Sequence, residues 1–143
     1  MTAQAMATER EIEDSIRALF LQAGWYPVKT EAGMVARGTR GPRRGHLPPG
    51  FPDLTVLRRL PGTPLCLAAL IEVKTTTGTL EPSQEQRHAE LRASGLFPQV
   101  IRDPQAAVAL IAEGHRLAGL LREHGRSGEG PGPPEGPARK DTS

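Results

Sequence analysis

The chain has 143 residues, of which 37% are hydrophobic and only 3% aromatic, and its formal net charge is +2. That length suits one domain with its own core plus tails, and so small a charge gives no argument for nucleic acid by itself. The single cysteine, Cys66, excludes an internal disulfide and a cysteine-built zinc site. No apolar stretch is long enough to span a membrane, and the N-terminus lacks the apolar core of a signal peptide. The expectation is a soluble, cytoplasmic protein.

Residues 1–7 read as a flexible N-terminus. Thr8 and Glu11 then have the spacing of a capping box. Ile12, Ile16, Leu19, Phe20 and Ala23 follow at helical intervals until Gly24 stops the run. On a helical wheel Glu9 lies about 35° from the centre of that apolar stripe and Glu13 about 75°. Glu9 is therefore the acid expected to face inward. A first-turn acid also complements the positive helix end, so the position alone does not separate a site role from a dipole role.

Trp25 to Thr30 reads as a strand. Residues 31–49 have loop chemistry, rich in Gly and Pro, and a loop of this length in a small domain is commonly functional. It crowds Arg37, Arg40, Arg43, Arg44 and His46. The cluster reads equally as a phosphate-contacting loop and as one expression of an Arg-, Gly- and Pro-rich composition.

Residues 53–59 and Leu65–Lys74 read as a hairpin around Leu60-Pro61-Gly62-Thr63-Pro64. The second strand begins as an unbroken apolar run, LCLAALI, which predicts burial on both faces. It ends on Glu72-Val73-Lys74. Alternation puts Glu72 and Lys74 on one face and Val73 on the other. A symmetric turn centred on Gly62 sets Asp53 opposite Ile71. A loop one residue longer sets it opposite Glu72, and a one-residue slip flips every side chain. Only the longer loop brings the two carboxylates to one face.

A second helix is predicted from Pro82 to about Ser94, with Pro82 in the first position. Gln84, His88 and Leu91 share a face. Gln84 points inward, where it could partner a buried group or merely bridge the helix start. Phe97 to Arg102 gives a last strand. Asp103 and Pro104 open a third helix, which Gly114 and Gly119 weaken, so that 115–124 reads as a separate or fraying segment. From 125 to 143 almost nothing is apolar, which reads as a disordered Gly/Pro-rich tail. The predicted order is α-β-β-β-α-β-α, a mixed sheet flanked by helices, with the domain over 8–124.

In the longer-loop register Glu9, Asp53, Glu72 and Lys74 can converge at one end of a central hairpin. Two carboxylates suit a hard divalent cation that keeps several waters. An ammonium beside it suits the holding of a water and the neutralisation of developing phosphate charge. A structural ion pair capping a core strand would use the same residues.

Pro52-Asp53 followed by Glu72-Val73-Lys74 resembles the PD-(D/E)XK nuclease signature. The wider context, Gly50-Phe51-Pro52-Asp53-Leu54, Ile71-Glu72-Val73-Lys74, Gly78-Thr79-Leu80-Glu81-Pro82-Ser83-Gln84 and Leu91-x-x-x-Gly95, resembles the VRR-NUC branch of that superfamily. The opening helix, Glu9 to Gly24-Trp25, is similar too, so the resemblance covers about residues 8–112. It implies a restriction endonuclease-like core and a Mg²⁺- or Mn²⁺-dependent DNA nuclease, with branched or flapped DNA as substrate. It also implies a homodimer. Carried over residue by residue, it implies Asp53, Glu72 and the Val73 backbone carbonyl as metal ligands, with Glu9 acting through water. Lys74 would position the attacking water, and Glu9 and Gln84 would support the site. Independently of the resemblance, the basic loop offers Arg37, Arg40, Arg43 and Arg44 as candidate DNA contacts. Two positions depart from the pattern: Glu81 stands where a Ser-like cap is usual, and Glu13 where Gln is frequent. A non-catalytic DNA-binding module of the same fold is the alternative.

Overall fold

The computed structural model describes residues 5–31 and 47–127, with side chains through 125. Its elements are α1 (Glu9–Gln22), β1 (Tyr26–Lys29), β2 (Leu54–Arg59), β3 (Cys66–Val73), α2 (Pro82–Ala93), β4 (Gln99–Ile101) and α3 (Gln105–Ser127). This is the order read from the sequence. The capping box forms: Glu11 N donates to Thr8 Oγ1 at 3.2 Å, and Thr8 N donates to the Glu11 carboxylate at 2.8 Å. Each bond satisfies a donor that the helix start cannot pair by itself.

The four strands lie in the order β1-β2-β3-β4. The first two pairings are antiparallel and β3–β4 is parallel, with α2 as the crossover that parallel strands require. One face of the sheet presents Leu54, Val56, Ile71, Val73 and Ile101. Ile12, Ile16 and Phe20 of α1, Trp25, and Ala107 of α3 close over it. Phe20 and Trp25 meet edge to face, with centroids 5.1 Å apart, an arrangement favoured by their ring quadrupoles. Gly114 lies against the Trp25 ring, where a Cβ would overlap it. That packing is why this glycine is tolerated inside α3, which runs unbroken across 115–124. It also carries the helix to Ser127, so the first residues of the expected tail are helical. The rest of the tail lies outside the described residues.

The apolar stretch Leu65–Lys74 is not buried on both faces throughout. Ile71 to Lys74 are buried, but Leu65 is 67% exposed, and Cys66 and Ala68 are exposed as well. β4 is short and pairs only with Ile71–Val73. Residues 66–70 therefore have a strand neighbour on one side alone.

Candidate active site

The hairpin takes the longer of the two loops. Its pairs run from Arg59↔Cys66 to Leu54↔Ile71, and one further step sets Asp53 across from Glu72. Opposed residues of an antiparallel pair share a face, so the two carboxylates face each other. Asp53 is fixed from three directions. Thr30 N donates to its backbone carbonyl at 2.8 Å, and Thr30 Oγ1 to that of Pro52 at 2.8 Å. Val73 N donates to Asp53 Oδ2 at 2.8 Å, which ties the strand start to the strand end. Past that end, Arg102 donates to the carbonyls of Thr75 and Gly78 and holds the segment that leaves Lys74.

Gln84 does both of the jobs its position allowed. Its Oε1 accepts from Glu81 N at 2.9 Å, closing the start of α2. Because that partner is a donor, the amide orientation is settled. Its Nε2 therefore faces Glu72 and donates to Oε1 at 2.7 Å. The second oxygen of Glu72 meets His88, Nε2 to Oε2 at 3.2 Å. His88 is fully buried and is the residue that sequence reasoning missed as part of the site. The only signal was its place one turn beyond Gln84 on the same helical face.

The two candidate acids of α1 part company. Glu13 is the buried one, 8% exposed, and it pairs with Lys29 at 3.4 Å. Glu9 is not turned into the core as expected: its side chain is 53% exposed. It nevertheless lies 3.8 Å from Lys74 Nζ, the only one of the two within ion-pair distance of that amine. The first turn of α1 overhangs the end of the sheet, where β3 has already finished. An inward direction there leads to Lys74 rather than into the core. Lys74 itself is 6% exposed. The structure thus brings Glu9, Asp53, Glu72, Lys74 and Gln84 into one cluster. Arg37, Arg40, Arg43 and Arg44 lie outside the described residues.

The electrostatics of the cluster are dominated by burial. Burial first, then the Asp53 carboxylate and the hydrogen bond it shares with Glu72, raise Glu72 to about 8, with Lys74 opposing. Asp53 is raised as well, by burial against the lowering effect of the Val73 N–H bond, with the Glu31 charge adding to the rise. Burial also lowers His88, with the Arg92 and Lys74 charges acting in the same direction.

Two facing acids that resist joint ionisation, Glu72 buried and Asp53 half-buried, form a site that a dication would relieve. Asp53, Glu72 and the Val73 carbonyl are an oxygen set of the kind that suits Mg²⁺ or Mn²⁺, an ion content with one or two carboxylates plus waters. Among the described residues no group of three or more His, Cys, Asp or Glu side chains is arranged to cage an ion. A cleft of about 270 Å³ opens beside Asp53, Lys74 and Gln84, and a second of about 430 Å³ continues from Asp53 and Glu9 along α1.

Gly50 lets the loop before Asp53 approach α2. It has φ +75°, and a Cβ there would overlap the Ser83 carbonyl, while Arg87 Nε donates to the neighbouring Pro49 carbonyl at 3.1 Å. Gly50→Ala is expected to cost roughly 1–3 kcal/mol, as overpacking of a tight contact does, on top of the strain of its positive φ. Denaturant unfolding of the variant checks this; an unchanged midpoint contradicts it.

Comparison with known proteins places this arrangement in context. Residues 41–103 match the sequence model of the VRR-NUC domain. A solved structure described as a VRR_NUC domain is similar in fold, with a TM-score of 0.51 and 22% identity, covering 74% of this chain and 97% of that one. None of the curated proteins compared with the chain matches it. No helix among the described residues is long and apolar enough to cross a membrane.

Proposed function

We propose that this chain, whose residues 41–103 match the VRR-NUC domain, is a nuclease of that kind: a divalent-metal-dependent endonuclease acting on branched or flapped DNA. The observation that carries the proposal is the register of the hairpin. It sets Asp53 against Glu72, on the face that Lys74 shares by alternation, and Lys74 lies beside Glu9.

In this proposal Asp53, Glu72 and the Val73 carbonyl hold Mg²⁺ or Mn²⁺, with Glu9 contributing through water. Bound there, the cation would supply charge neutralisation and polarisation of the scissile phosphate. The protein's own groups do the rest. Lys74 Nζ offers three donors: it holds the attacking water and faces the charge that develops on the phosphate oxygens. Glu9 keeps that ammonium paired and aimed. Gln84 holds one oxygen of Glu72 and so its carboxylate plane. Arg37, Arg40, Arg43 and Arg44 contact backbone phosphates ahead of the site.

Two cuts in a branched substrate call for two centres, and we include a homodimer in the proposal. Leu65, Leu96 and Phe97, exposed near the half-paired β3, suit pairing with a second copy; a monomeric mass by light scattering at working concentration would remove this part. The activity itself is tested with linear, flapped, splayed and four-way DNA in Mg²⁺, with Glu72→Ala as control. Preferential cutting of the branched forms by the wild type alone is expected. Equal cutting of linear DNA would overturn the selectivity, and binding without cutting would favour a non-catalytic module.

A further inference from the structure

Helix α2 places two side chains, one turn apart, on the two oxygens of one buried carboxylate. Gln84 Nε2 lies 2.7 Å from Glu72 Oε1, and His88 Nε2 lies 3.2 Å from Glu72 Oε2. The side chains of His88 and Glu72 are both completely enclosed. The other ring nitrogen of His88, Nδ1, has no hydrogen-bond partner among the described residues. A neutral imidazole carries one N–H and one bare lone pair. An N–H left unpaired in a dry interior is rarer than a lone pair left there, and the ionised Glu72 that a bound cation would favour can only accept. The ring proton therefore belongs on Nε2, donated to Glu72.

We propose that His88 is a positioning residue for Glu72: as the Nε2–H tautomer it joins Gln84 in gripping both carboxylate oxygens, and so aims Glu72 at the divalent cation. The inference rests on the metal-dependent reading given above. A ligand carboxylate held by a second layer of donors loses less freedom when the ion binds, and removal of such donors commonly weakens metal sites. An apolar residue at 88 would fill the space but leave Oε2 enclosed and unpaired. The distinction between filling and donating decides the test.

Counted from Cα, the Gln side-chain nitrogen falls at the position of His Nε2, whereas the Asn nitrogen falls at that of Nδ1. Mn²⁺ affinity is measured by titration calorimetry on the full chain for the wild type, His88→Gln and His88→Asn, with thermal melts alongside. His88→Asn is expected to weaken Mn²⁺ binding about 10–100-fold and His88→Gln by no more than about threefold, the range set by lost outer donors. Equal affinity in His88→Asn and wild type overturns the inference, as does an equal loss in both variants. A folded wild type that binds no Mn²⁺ overturns the metal reading itself, a distinguishable failure that takes the inference with it. The imidazole ¹⁵N spectrum of the wild type in Mg²⁺ needs no variant. The Nε2–H tautomer is expected, and an Nδ1–H tautomer refutes the donor role even if a variant fails to fold.

Discussion

Lys74→Met is expected to lower the single-turnover rate of Mg²⁺-dependent DNA cleavage by about 10²–10³-fold, the usual cost of one donor aimed at developing charge. The fold should survive. Lys74 is only 6% exposed, but Met reproduces most of its stem, and the partner it abandons, Glu9, is half exposed and readily hydrated. Melting temperature and Mn²⁺ affinity should therefore stay close to wild type while the rate collapses. Undiminished cleavage would show that the water is held elsewhere. A collapse of metal binding along with the rate would show that the lysine acts on the ligand carboxylates instead.

The second large effect is on stability against pH in the absence of metal. Glu72 ordinarily titrates near 4.5 and is raised to about 8 in the folded protein, by burial first and by Asp53 next. Between those values the folded chain holds a proton that the unfolded chain has released. Stability is then fully present below the lower value and is lost as pH rises through the upper one. Asp53, also raised, acts in the same direction. His88 is lowered by burial and acts oppositely, with stability falling as pH drops below its ordinary 6.5. Denaturant unfolding in EDTA should thus show the wild type losing a few kcal/mol from about pH 6.5 to 9, as a shift of several pKa units implies. Glu72→Gln, which cannot ionise there, should lose much less and become the more stable protein at pH 9. Mg²⁺, which favours the ionised carboxylates, should flatten the wild-type curve. Parallel curves for the two proteins without metal would contradict the burial of that charge.

Much of this site was legible because it depends on periodicity. Alternation put Glu72 and Lys74 on one face, and the turn reduced the position of Asp53 to a choice between two registers. Helical spacing turned Gln84 inward. What stayed hidden depends on where elements end. The apolar run that enters β3 reads as core, yet Leu65, Cys66 and Ala68 are exposed, and no local pattern reports which part of a strand face the rest of the fold will cover. A wheel treats every turn of α1 alike, so it ranked Glu9 as the inward acid, whereas Glu13, beside Lys29 of β1, is the buried one. His88 shared a helical face with Gln84 and Leu91, but nothing in the sequence tied it to Glu72, a contact that only the fold supplies. The glycines of α3 read as weak points, whereas Gly114 makes room for Trp25.

Asp53 and Glu72, joined by Lys74, are proposed to form a metal-dependent hydrolytic centre for DNA. The most direct measurement is a cleavage time course on a four-way DNA junction by the wild-type chain in Mg²⁺ and in EDTA, with Asp53→Asn beside it. Cleavage in Mg²⁺, its absence in EDTA and its loss in a folded Asp53→Asn protein are predicted. Cleavage that persists in EDTA or in Asp53→Asn would contradict the account, as would a folded wild type that cuts nothing in Mg²⁺.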